Sequence, residues 1–312
     1  MAAGAAAEGP GLLARGWGLL RGLGIGAAGL VVAAVALVVT FQEKLLYVPA
    51  APGIPREYPF DPSQYQLPFR DVWLTAKDGV RLHAWYVWPT GLARQRGPTV
   101  LWLQENAGNM AHRLHFIKLF TRYLGCNVLM LMYRGYGASE GRPTEAGLKL
   151  DADAALDYLY AAEDVDTDNL VVFGRSLGGA VAIDLAARNR ERVKGVIIEN
   201  TFTSITDMAG RVLPFLAPFV GEGKPCNFLC RNQWNSSTAI ARIEVPTLML
   251  ASLHDEMVPF EQMQKLRAQI GTEDATWHEF DAHHMDAYHT ARATYWPALK
   301  AWYHGKMECG PK

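Results

Sequence analysis

Gly174-Arg175-Ser176-Leu177-Gly178-Gly179 follows directly on the apolar run Leu170-Val171-Val172-Phe173, and a helix-forming stretch comes next. A chain that passes from a buried strand through Gly-x-Ser-x-Gly into a helix must turn sharply, and the serine is left at the apex of the turn. The two glycines leave room for it, because a Cβ at either position would crowd the neighbouring strand or helix. The hydroxyl is then presented above the carboxyl edge of a sheet, with the amino terminus of the next helix beneath it. Taken alone the motif arises by chance in roughly one chain of this length in ten. The strand before it, the helix after it and the candidate partners downstream give it weight, so one stretch constrains both fold and chemistry.

The pattern around it alternates. Val72–Thr75 and Arg81–Val87, joined by Asp78-Gly79, read as a β-hairpin. Thr99–Leu103 is a buried strand. Met110, Leu114, Ile117, Phe120 and Leu124 recur at helical spacing and end at Gly125. Asn127–Tyr133 is a strand, Pro143–Tyr160 a helix, Gly178–Arg188 the helix after the serine. Val193–Ile198, Pro246–Ala251 and Trp277–Phe280 are further strands. Strands alternating with helices imply a mostly parallel sheet covered by helices on both faces, which together with the serine turn is the α/β-hydrolase fold. Thr201–Ala241 interrupts the alternation. It carries Met208, Val212, Leu213, Phe215, Leu216, Phe219 and Val220, broken by Pro214 and Pro218. It reads either as a small lid over the serine, which would favour acyl or alkyl groups, or as an excursion packed against the body.

The amino-terminal segment differs from the rest. Leu23–Phe41 is almost wholly apolar or small, and its 19 residues contain no charge. At about 1.5 Å per residue it spans roughly 28 Å, the thickness of a bilayer core. It is longer than the centre of a cleaved signal and lacks an Ala-x-Ala site after it, so it reads as a retained single-pass transmembrane helix. Arg15 and Arg21 bias the amino terminus weakly toward the cytoplasm, a type II arrangement in an endomembrane or plasma membrane. Pro52, Pro55, Pro59, Pro62 and Pro68 suggest an extended linker leaving the membrane. The organisation expected is a tail over 1–21, an anchor over 22–42, a linker over 43–69, the α/β domain over 70–305 with its insertion at 201–241, and a tail over 306–312.

A net charge of −1 gives no argument for nucleic acid as a partner. Cys126, Cys226, Cys230 and Cys309 lack zinc spacing and have no suitably placed histidine, so no metal site is expected. Asn235-Ser236-Ser237 is a glycosylation sequon, usable only in a secretory lumen.

A serine hydroxyl needs a general base, and the base needs a carboxylate to fix its tautomer and stabilise the imidazolium. In this fold the chain order is serine, acid, histidine, the last two on loops after late strands. Asp255, in the loop after Pro246–Ala251, is the acid of choice; Glu256 and Glu199 are the alternatives. The base lies in Asp281-Ala282-His283-His284-Met285-Asp286, where position alone leaves His283 and His284 open. His289 is nearby, and His254 precedes the acid and breaks the order. The oxyanion hole needs two backbone N–H groups. Leu177, at the helix start, is one, and Asn106, in the loop after Leu103, is the other. No metal or organic cofactor is required.

Asn106-Ala107-Gly108-Asn109 with Ala111-His112-Arg113, Tyr133 through Gly141, Gly174 through Val181, Glu199-Asn200-Thr201-Phe202 and Asp255 through Pro259 stand together in this chain. In combination they resemble the membrane-anchored α/β-hydrolase family typified by α/β-hydrolase domain-containing protein 13, and above all its plant wavy-growth type. The match runs from the anchor to about Trp302. The family pattern places the catalytic histidine two residues before an aspartate, which selects His284 ahead of Asp286. Many relatives carry His-Gly where this chain has Gln104-Glu105. The resemblance implies a serine hydrolase acting on esters, thioesters or amides. The anchor and the apolar stretch Met208–Val220 suggest an acyl-chain small molecule, a lipid or an acylated protein as its substrate. A non-catalytic scaffold that keeps the fold, and an amidase or peptidase of the same fold, are the alternative readings.

Overall fold

The computed structural model describes residues 12–91 and 97–307. Cys309, the tail beyond Met307 and the first eleven residues of the amino-terminal tail lie outside the described residues. The chain divides into two units after Leu45.

The first unit is formed by the helix α1 (Leu12–Leu46), which begins within the expected tail. Its Gly24–Leu46 portion has a mean hydropathy of 2.4, and it is the one helix among the described residues long and apolar enough to cross a membrane.

The second unit is built on one eight-stranded sheet. Its elements in chain order are β1 (Phe69–Thr75), β2 (Arg81–Val87), β3 (Gly97–Leu103), α2 (Leu114–Leu124), β4 (Asn127–Leu131), α3 (Glu145–Ala161), β5 (Val165–Arg175) and α4 (Leu177–Arg188). They continue with β6 (Gly195–Glu199), α5 (Ile205–Val212), α6 (Ser236–Ile240), β7 (Thr247–Ser252), α7 (Phe260–Gln269), β8 (Ala275–Phe280), α8 (Ala287–Thr290) and α9 (Arg292–Lys306). The strand order is β1-β2-β4-β3-β5-β6-β7-β8. The leading hairpin pairs antiparallel with itself and with β4; every other pairing is parallel. This is an α/β-hydrolase fold. β4 and β6 are buried along their whole length, as unbroken apolar strands covered on both faces must be.

Parallel strands put the carboxyl ends of β3, β5, β6, β7 and β8 on one edge, and crossover helices return the chain to the other. Asn106, Ser176, Asp255 and His284 lie in the connections that leave this edge, and Leu177 opens the helix that follows Ser176. Trp102 of β3 and Phe173 of β5 stack at 4.0 Å between centroids, and Phe116 and Phe120 of α2 pack on the same pair. That aromatic layer fixes the spacing between the strands that deliver the serine and the oxyanion loop.

Of the stretch expected to be an extended linker, 43–69, the first residues continue α1 to Leu46, and the rest is bound to the second unit. Tyr47 is 2% exposed, Val48 bridges to Ala107, and Arg56 donates to the carbonyls of Gly137 and Ser139 at 2.8 and 2.6 Å. The physical reason lies in the prolines themselves. They fix φ and remove donors, but they leave carbonyls pointing outward. Asn109 Nδ2 donates to those of Pro55, Arg56 and Glu57. The 201–241 insertion starts at the carboxyl edge, after β6. It folds as α5, short 3₁₀ turns at Pro214–Leu216 and Asn227–Leu229, and α6.

Candidate active site

Ser176 sits at φ 54°, ψ −123°, a conformation that side-chain-bearing residues avoid at a cost of order 1–3 kcal/mol. Its neighbours hold it there. Ser176 N donates to Glu199 O at 3.0 Å, and its own carbonyl accepts from Gly179 N and from Thr201 Oγ1. The need for glycine at 174 and 178 is geometric. A Cβ on Gly174 would lie 2.0 Å from Gly178 O, and one on Gly178 would lie 2.0 Å from Leu103 O. The first turn of α4 is thereby pressed against both β5 and the exit of β3. Leu177 opens α4, so its N–H is among the first amides of the helix, which have no intrahelical partner.

The loops after β7 and β8 meet. Asp255 Oδ2 lies 2.7 Å from His284 Nδ1, with the two side chains only 1% and 6% exposed. Asp255 Oδ1 accepts from Met257 N and Val258 N at 2.9 and 2.7 Å. A carboxylate fixed by two amides holds Nδ1 as the donor and leaves Nε2 free to take a proton. His283 is exposed, and its Nδ1 faces His254 O at 3.0 Å and Glu256 at 3.3 Å. Asp286 accepts from His283 N at 2.7 Å and so braces the turn that points the two rings apart. Glu256 accepts from His284 N at 3.2 Å, His254 pairs with Asp281, and Glu199 is committed to Arg175. None of the alternative acids or bases shares the Asp255–His284 contact. Among the described residues the Ser176 hydroxyl makes no hydrogen bond, and in unliganded sites that contact commonly tightens only with substrate.

Two groups of residues escaped the sequence reading as site architecture. Asn200, at φ 47°, ties the acid and base loops to the elbow. Its Oδ1 accepts from Ser252 N at 2.8 Å, and its Nδ2 donates to Ser252 Oγ and His284 O at 2.9 Å each. An asparagine just after an apolar strand, a residue that tolerates the left-handed region better than most, is the only local signal the sequence gives. The second group is a buried chain of charges: Arg113–Glu105 at 2.6 Å, Glu105–Arg175 at 3.1 Å, Arg175–Glu199 at 3.0 Å and Tyr295 donating to Glu199 at 2.8 Å. Arg175 also lies over the Phe116 ring at 4.8 Å. Burial works against the charge of Glu105, but the Arg113 and Arg175 guanidiniums outweigh it and hold its carboxyl below the usual range. Burial likewise opposes the charge of Arg175, and Glu199 and Glu105 overcome it, raising its pKa. An arginine and a glutamate inside apolar surroundings demand partners, which is the signal the sequence carried without naming them.

Among the described residues no group of acidic, histidine or cysteine side chains could hold a metal. A surface cavity of about 450 Å³ opens beside Lys149, Trp234 and Arg242, and another of about 710 Å³ beside Trp73 and Tyr158. Neither is lined by Ser176, Asp255 or His284. Asn235 is exposed at the first of these, where its Oδ1 caps α6 by accepting from Thr238 N.

The sheet and the elbow define an α/β hydrolase. A model of the prolyl oligopeptidase family matches residues 149–304. The α/β-hydrolase domain-containing protein WAV2 of Arabidopsis thaliana is 49% identical over 279 residues, covering 87% of this chain and 90% of that one. Protein bem46 of Schizosaccharomyces pombe is 37% identical over 82% of this chain and 84% of its own. A Saccharomyces cerevisiae relative named as an uncharacterized membrane protein, YNL320W, is 37% identical over 77% and 81%. The chain belongs to this family of α/β-hydrolase domain-containing proteins. Among solved structures an esterase of Pyrococcus furiosus superposes with a TM-score of 0.67 at 18% identity, covering 81% of this chain and 97% of that one. That likeness is one of fold.

Proposed function

We propose that this protein is a membrane-anchored serine hydrolase that cleaves acyl esters or thioesters through an acyl-Ser176 intermediate. The observation that carries the reading is the buried Asp255–His284 contact at 2.7 Å, on the same sheet edge as a serine in elbow conformation. In this reading His284 Nε2 takes the Ser176 proton as Oγ attacks the carbonyl carbon. The oxyanion is met by the amides of Leu177 and Asn106. Collapse expels the alcohol or thiol, which leaves with the proton from His284. Water, deprotonated by the same nitrogen, then releases the acid and restores the serine. Asp255 keeps the ring in one tautomer and faces the imidazolium as it forms.

An acyl chain or lipid is favoured as substrate because Val212, Phe215, Phe219 and Phe228 of the insertion, and Leu253 and Met257 beside Asp255, are all exposed apolar side chains. Isolated exposed apolar residues are ordinary, whereas four of these fall within the short span 212–228. The α1 helix supports residence in a bilayer as a single-pass protein. Arg15 and Arg21 and the exposed Asn235 sequon favour a type II arrangement with the second unit in a lumen or outside the cell. Protease digestion of sealed vesicles with their cytoplasmic face outward tests this, and loss of residues 46–312 there overturns it.

The activity test is a fluorophosphonate probe followed by a p-nitrophenyl ester series. The wild type should label, Ser176→Ala should not, and rates should rise with acyl length. Equal labelling of both proteins would remove Ser176 from the mechanism, and a preference for acetyl over every longer chain would remove the acyl-chain reading. The match to the prolyl oligopeptidase family favours one second reading, a peptidase, which cleavage of peptide p-nitroanilides in preference to esters would establish.

A further inference from the structure

The loop that follows β3 is clamped from two sides. On the inner side Gly178 brings α4 against the carbonyls of Leu103 and Gln104. On the outer side lies the segment that directly follows α1. Val48 N donates to Asn106 Oδ1 and to the Tyr136 hydroxyl, each at 3.1 Å, and Tyr136 in turn donates to Asn106 Oδ1 at 3.0 Å. Val48 and Ala107 form a parallel bridge. Asn109, fully buried, spends its Nδ2 on the carbonyls of Pro55, Arg56 and Glu57 at 3.2, 3.1 and 3.0 Å. Gly108 sits at φ +83°, and a Cβ there would stand 3.5 Å from Ile54 Cγ2. Tyr47 seals the near end: its hydroxyl donates to Asn232 Oδ1 and accepts from Trp234 Nε1, both at 3.0 Å.

We propose that residues 47–57 are a positioning strap for the oxyanion loop, with Val48 and the carbonyls of 55–57 setting the direction of the Asn106 amide. The inference rests on the hydrolase reading for the role of that amide. A loop that turns through a left-handed glycine has little regular structure of its own to orient its peptide planes. A donor swung away from linearity weakens steeply, and an oxyanion donor lost outright costs about 10²–10³ in kcat. The strap supplies the missing constraint through bonds to both side-chain amides that flank Ala107 and Gly108. Residues 47–57 touch no reacting atom in this scheme and act only through the loop.

The test uses the full chain in detergent micelles. Val48→Pro deletes the N–H donor; Val48→Ala retains it. Tyr136→Phe removes the hydroxyl that shares Asn106 Oδ1 and keeps the ring. With a p-nitrophenyl ester, Val48→Pro should lose about tenfold or more in kcat, less than the 10²–10³ of a donor lost outright because the amide is tilted and not removed, with KM held within about twofold. Tyr136→Phe should lose about threefold to fivefold, the worth of one ordinary hydrogen bond, and Val48→Ala should match the wild type. Hydrogen exchange of residues 104–109 should quicken in Val48→Pro and Tyr136→Phe and not in Val48→Ala. A purely structural role would lower the melting temperature and leave the split between kcat and KM unmoved. Normal kcat and unchanged exchange at 104–109 in both Val48→Pro and Tyr136→Phe overturn the strap. If Val48→Pro fails to fold, Tyr136→Phe decides by the same two readouts. If the wild type neither turns over esters nor labels with fluorophosphonate, the hydrolase reading fails, and exchange still judges the strap.

Discussion

Glu105→Gln removes one charge from the buried chain that runs from Arg113 to Tyr295 while keeping the side chain's shape. In the native protein two arginines face two glutamates, so the group is neutral. The network has no slack: among the described residues Arg175 Nε and Glu199 Oε1 are buried without a hydrogen bond. After the substitution Arg175, 1% exposed, keeps one counterion instead of two, while Arg113, 18% exposed, can turn to water. Breaking a buried pair by removing one partner costs about 3–5 kcal/mol, and the partial access of Arg113 places this case at about 3 kcal/mol. For a domain of this size that is a fall of about 6–12 °C in melting temperature. The assay is thermal unfolding in detergent at pH 7, repeated at low and high salt, because a buried pair is screened little. Glu105→Gln/Arg113→Gln removes one charge of each sign and leaves Arg175 with Glu199, so it should recover part of the loss. Glu105 has a carboxyl pKa held below its ordinary value of about 4.3. Its contribution is therefore complete above that pH and is lost as pH falls through the folded value. The gap between wild type and Glu105→Gln should close on acidification below about pH 4. A melting temperature within about 2 °C of wild type at pH 7, or strict additivity in the double variant, would refute the reasoning.

Three further outcomes are expected. His284→Ala should lose roughly 10⁴-fold or more in turnover and His283→Ala little; steady-state rates on one ester compare them, and the reverse order would exchange their roles. Gly178→Ala places a methyl 2.0 Å from Leu103 O, so it should lose fluorophosphonate labelling and destabilise the fold, with melting temperature and labelling measured on one preparation; full labelling would mean the elbow can shift aside. His83 is held below its usual pKa by burial, which outweighs Asp71, and so binds its proton less readily folded than unfolded. Its contribution is present above about pH 6.5 and lost as pH falls, so wild-type stability should decline below that point, and His83→Phe should flatten the decline in a melting series from pH 8 to 5.

The serine turn, the strand alternation, the hairpin at Asp78-Gly79 and the pairing of a late acid with a late histidine were legible because each is local or fixed by chain order. Position alone left His283 and His284 open, since adjacent residues differ only in which way the turn points them, and that is decided by Asp286 and Asp255. The buried charges were not legible as a set: residues 105, 113, 175, 199 and 295 lie far apart in sequence, and nothing local says which carboxylate meets which guanidinium. The proline-rich stretch read as an extended linker, yet it turns at Ala51–Ile54 and winds into a 3₁₀ turn at Pro62–Tyr65, and its attachment was not legible because the bonds that hold it come from the side chain of Asn109 and the backbone of Val48.

The strap also makes the amino-terminal edge of the second unit part of its site. Tyr47, the first residue after α1, is buried in that unit, and Val48 and Asn109 tie the residues after it to the loop that follows β3. A tag, a protease cut or a truncation placed between residues 47 and 57 would therefore be felt at that loop, and the second unit prepared alone keeps its loop geometry only if it begins ahead of Tyr47.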